Sequence, residues 1–75
     1  MTQKTQKYKL NPVEKSILTY LAEGYNKDET AKHLNISTAV LNNTLYALRL
    51  KTGAKDTAVL IAQAILRRSI QPRIK

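Results

Sequence analysis

At short intervals this chain carries residues that start or stop helices, and that spacing leaves room for little but a small helical fold. Each start is a side chain able to accept a hydrogen bond from the free amides of a first helical turn. Asn11 caps the first predicted helix, with Pro12 in the first position and Glu14 three residues past the cap. Ile17, Leu18 and Leu21 then share a face, and Gly24 stops the helix. Asn26 caps a second, short helix, again with an acid three residues on, Glu29; its apolar residues are Ala31 and Leu34. Asn35 tolerates the left-handed backbone of a tight turn, Ile36 is its buried hinge, and Ser37 caps a third helix over 38–51. Gly53 ends that helix, and Asp56 caps a fourth running to about Arg68. No stretch alternates as a strand would. The reading is all-α: four helices in one domain over 10–69, with a basic N-terminal arm (1–9) and a basic C-terminal tail (70–75) expected to be loose.

A domain of 75 residues sits near the size at which a core alone can hold a fold. With no cysteine, disulfides and thiolate metal sites are excluded, so stability must come from helix packing or from a second copy of the chain. Lys and Arg number 13 against 5 Asp and Glu, a net charge of +8. A polyanion is the natural partner of such a chain, double-stranded DNA first and an anionic membrane surface second. The membrane ranks lower, because no helix combines a basic face with large apolar anchors. No apolar run approaches the roughly 20 residues of a span, and no secretory pattern opens the sequence. The expected location is the cytoplasm.

A short helix, a turn over 35–37 and a longer helix make the helix-turn-helix pattern. At about 100° per residue, Leu41, Leu45 and Leu48 fall on one side of the third helix, with Thr44 and Thr52 beside them. Ala39, Asn42, Asn43 and Tyr46 fall opposite, with Arg49 and Leu50 at the edges. An α-helix fits the major groove of DNA, where asparagine pairs with the N6 and N7 edge of adenine. Ala39 permits close approach and can touch a thymine methyl. Tyr46 can reach a phosphate or a sugar. Ser37, Thr38, Arg49, Lys51 and Lys55 are suited to phosphates, although Arg49 could also reach a guanine. A solvated surface helix would carry similar residues; the net charge and the preceding turn favour DNA.

The segments LNPVEKSILTYLAEGYNKDETAKHLNIS and VLNNTLYALRLKTGAKDTAVLIAQAI resemble the LuxR-type (GerE-like) helix-turn-helix domain of bacterial transcription regulators, without a gap from Leu10 to Ser69. Leu10, Pro12, Glu14, Ile17, Leu18, Ala22, Gly24, Glu29, Ala31, Leu34, Ile36, Ser37, Lys51 and Gly53 carry the resemblance. It implies that the third helix enters the major groove, that Asn42, Asn43 and Tyr46 touch bases, and that the last helix forms a symmetric dimer. There are departures. Val40-Leu41 stands where the family has Thr-Val, Thr44 replaces a histidine, and Lys51-Thr52 replaces Lys-Leu. Thr57 stands for an arginine and Asn42 for a basic residue. Each change removes a phosphate contact or a packing atom.

Glu14 and Glu29 each follow an Asn cap by three residues, which makes them capping groups rather than a catalytic pair. His33 is the sole histidine and has no partners for a metal site or a triad. No nucleophile motif or phosphate loop is present, so neither an enzyme nor a cofactor is expected. On the fourth helix, Leu60, Ile61 and Ala64 should face the domain, while Val59, Ala62 and Leu66 form another apolar side, read as a dimer seam. Lys4, Lys7 and Lys9 at one end and Arg67, Arg68, Arg73 and Lys75 at the other are further candidates for phosphates.

The sequence therefore points to a small, stand-alone, sequence-specific transcription regulator acting as a homodimer on DNA. The alternative is an adaptor that uses the same fold to grip RNA polymerase or another regulator.

Overall fold

The computed structural model describes residues 10–73, which form four α-helices and no strand. They are α1 (Pro12–Ala22), α2 (Lys27–Leu34), α3 (Thr38–Thr52) and α4 (Thr57–Leu66). The arm over 1–9 and the last two residues lie outside the described residues.

All four predicted caps form. In the first, Asn11 Oδ1 accepts from the Glu14 amide at 2.8 Å while Glu14 Oε1 accepts from the Asn11 amide at 2.9 Å. Asn26 and Glu29 repeat this reciprocal box at the same distances. Ser37 Oγ takes the Val40 amide at 3.0 Å, and Asp56 Oδ1 takes the Val59 amide at 2.9 Å. Each bond satisfies a donor that helix geometry would otherwise leave free.

The helix ends are as regular as the starts. α1, α2 and α4 close with the same pair of reversed bonds, one spanning five residues and one spanning three: Tyr25 to Tyr20 with Gly24 to Leu21, Ile36 to Ala31 with Asn35 to Lys32, and Ser69 to Ala64 with Arg68 to Ile65. That closure requires a left-handed residue, supplied by Gly24 (φ 104°), Asn35 (φ 58°) and Arg68 (φ 59°). Gly53 (φ 78°) ends α3 with a single bond to Arg49.

α1 packs on α2 and α4, and α3 on the same two. Between them lie Ile17, Leu18, Ala31, Leu41, Leu45, Leu48, Leu60 and Ala64, all buried. Leu10, Leu21, Leu34, Ile36 and Ile61 close the edges. Thus the stripes expected from helical periodicity do meet in one core.

The C-terminal end departs from expectation. α4 stops at Leu66 rather than Arg68, because Arg68 turns left-handed and redirects the chain. Ile70 is then buried in the core, and the Arg73 amide donates to Glu23 Oε2 at 2.8 Å. Residues 70–73 are accordingly strapped back onto the end of α1, not a loose tail. Thr30 is a second unforeseen member of the interior, fully buried on α2.

Candidate nucleic-acid interface

The turn that positions α3 is built from three consecutive residues with separate tasks. Asn35 reverses the chain, Ile36 packs its side chain against the core, and Ser37 caps α3. Thr38 adds a tie, its hydroxyl donating to Asp28 Oδ1 of α2 at 3.1 Å. α3 is thereby fixed against α2 at its N-terminal end, and Leu41, Leu45 and Leu48 fix its inner side.

Asn42, Asn43 and Tyr46 are all exposed, Tyr46 to 60%. As chain neighbours the two asparagines diverge by about 100° around the helix. Asn43 lines a shallow groove of about 360 Å³ together with Val13 and Glu14 of α1 and Val40, Thr44 and Ala47 of α3. Asn42 lies on the other flank.

The residues expected to touch phosphates divide into two groups. Ser37 is exposed, and its capping oxygen acts as an acceptor, so its hydroxyl proton can still be donated. Lys55 is exposed in the turn between α3 and α4. Lys51 Nζ lies 3.8 Å from Glu14 Oε1 and its side chain remains 39% exposed. An exposed pair of this kind contributes only about 0–1 kcal/mol, so a phosphate can replace the glutamate.

Arg49 and Thr38 differ. The Arg49 guanidinium folds back, Nη2 donating to the Lys55 carbonyl at 2.9 Å, and its Nε is buried without a hydrogen-bond partner. Arg49 thereby braces the turn after α3 with one donor while its side chain stays half-exposed. The Thr38 hydroxyl is likewise committed to Asp28.

On α4, Leu60 and Ala64 are buried, while Val59 (37%) and Leu66 (81%) are exposed, as is Ala62. The apolar stripe of Val59, Ala62 and Leu66 therefore faces solvent in the single chain. Two features escaped the sequence reading. Val13 and Val40 are large apolar side chains open to solvent, at 52% and 49%, and join Leu50 (68%), which the helical period had already put on the outer side. His33 stacks with Tyr20 and Tyr25, ring centroids 5.0–5.2 Å apart, joining the end of α1 to α2. The Tyr20–Tyr25 pair was readable, since the two residues bracket the stop signal at Gly24 where helix endings commonly bring side chains together.

Among the described residues no helix is long and apolar enough to cross a membrane. Among the described residues no group of three metal-ligating side chains assembles. Comparison with models of known families, with curated proteins and with solved structures gave no match.

Proposed function

We propose that this chain is a small, sequence-specific, DNA-binding transcription regulator of the LuxR/GerE helix-turn-helix type, inserting α3 into the major groove. One observation carries the reading. A helix whose inner side is fully used by the core presents Asn42, Asn43 and Tyr46 to solvent, directly after a tight turn, in a chain of charge +8. Asn42 and Asn43 take adenine edges, and Tyr46 takes a base or the adjoining sugar. Ser37, Lys51 and Lys55 take phosphates. The exposed stripe of Val59, Ala62 and Leu66 pairs two copies, which sets roughly palindromic half-sites about 10 base pairs apart, or a multiple of that.

The test is selection from a random duplex library at two salt concentrations. The reading predicts a palindrome with adenines in each half-site and affinity that falls steeply with salt. Salt-sensitive binding without enrichment contradicts it.

A second reading is favoured by a specific observation. The Arg49 guanidinium and the Thr38 hydroxyl are engaged inside the protein, while Val40, Leu50 and Leu66 are exposed. A domain with fewer free phosphate contacts and more apolar surface suits an adaptor that binds RNA polymerase or another regulator. Tight protein association with weak, sequence-blind DNA binding selects that alternative.

A further inference from the structure

Direct readout in the major groove uses a short list of side chains. Arg or Lys pairs with guanine O6 and N7, Asp or Glu accepts from cytosine N4, Asn or Gln pairs with adenine, and apolar groups meet the thymine methyl. Hydroxyls can serve any base.

Guanine readers stand only at the edges of the outward face of α3. The only cations on α3 are Arg49 and Lys51. Arg49, at one edge, gives one of its donors to the Lys55 carbonyl, and Lys51 lies on the α1 flank beside Glu14. Cytosine readers are missing, since α3 contains no acid. The hydroxyl protons are engaged internally, which leaves these oxygens as acceptors only: Thr38 donates to Asp28, and the half-buried Thr44 and Thr52, beside the core stripe, donate to the Val40 carbonyl at 2.9 Å and the Leu48 carbonyl at 2.8 Å. What remains exposed is two carboxamides, the Tyr46 phenol, and the apolar groups of Ala39, Val40, Ala47 and Leu50.

These apolar groups are not scattered. Val40 and Asn43 are one helical turn apart and line the same groove, and Ala39 stands one turn before Asn42 and Asn43. Each carboxamide thus has a methyl beside it.

We propose that α3 favours A·T base pairs, and reads both partners. Asn42 and Asn43 take the adenine edges, and the methyl groups of Val40 and Ala39 take the C5-methyl groups of neighbouring thymines. The inference rests on the DNA-binding reading above and narrows its target to A·T-rich half-sites. Charge complementarity supports DNA as the occupant of this apolar face. The exposed cations Lys15, Lys27, Lys32 and Lys55 sit off α3, where they hold phosphates and leave the base edges to a neutral surface.

The experiment titrates the full chain, by fluorescence anisotropy, with the selected duplex and two altered forms. In one, thymines in the half-sites become uracils, which deletes only the C5-methyl. In the other, A·T pairs become inosine·cytosine pairs, which keep the minor groove of A·T and show the major groove of G·C. Expected are A·T-rich half-sites, about fourfold weaker binding per contacted methyl lost, and a fall to random-duplex affinity with inosine. Val40→Ala, a half-exposed site whose change leaves the melting temperature in place, should abolish the uracil effect at one position.

Indifference to uracil overturns the proposal, and if Val40→Ala is also silent the apolar groups serve another partner. Retained affinity for the inosine duplex overturns it in favour of minor-groove shape. Specific binding to G·C-containing half-sites overturns it while leaving the regulator reading intact. Absence of any preference among duplexes defeats both.

Discussion

Asn35 sits at φ 58° and ψ 43°, a left-handed backbone that costs an L-residue with an ordinary side chain about 1–2 kcal/mol. It is the residue on which the orientation of α3 depends, since the Ile36 and Ser37 contacts follow from the reversal. Asn35→Ala should lower stability by that amount, several degrees in a thermal melt of a domain this size, while Asn35→Gly should be close to neutral. Equal melting of all three proteins would show that the turn does not need this conformation. At this scale the caps were legible because each is a contact between residues three apart, set by residue type alone. Arg68 was not legible: arginine is a helix former, and only the burial of Ile70 beyond it explains the left-handed turn. Nor was Thr30, whose polarity hid its place inside, nor Arg49, whose partner is a carbonyl six residues on.

At the level of the helix, periodicity gave the division of α3 into two faces, and Leu41, Leu45 and Leu48 do form the inner one. What periodicity does not carry is which polar groups along the helix are already engaged. The commitments of Thr38, Thr44 and Thr52 depend on neighbouring carbonyls and on α2. α4 poses a different question, because its outer stripe has no cover within the chain. Leu66 is 81% exposed, so Leu66→Ser removes no core contact. If the stripe is the dimer seam, this change should leave the melt of the dilute protein almost unaltered. It should also shift sedimentation equilibrium toward the single chain and weaken operator binding with loss of half-site cooperativity. A variant that still dimerises would put the seam elsewhere.

Across the whole molecule, charge and structure divide the work. The chain has 5 acidic residues, and every one accepts a hydrogen bond that holds the fold. Glu14, Glu29 and Asp56 cap helices, Asp28 ties α2 to α3, and Glu23 receives the C-terminal strap. None is carried by α3 itself, whose borders hold two of them, Glu14 beside Lys51 and Asp28 beside Thr38. The excess of cations was plain in the composition, but the placement of the acids required the fold.

The central claim is that DNA meets the domain through α3. Its most direct measurement is an amide and carboxamide shift map of the labelled protein by NMR, titrated with the selected duplex. The account predicts that the largest changes fall on residues 37–46 and on the side-chain NH2 groups of Asn42 and Asn43, with α1 core positions unmoved. Shifts centred on α4, or uniform small shifts with those carboxamides unchanged, would contradict it.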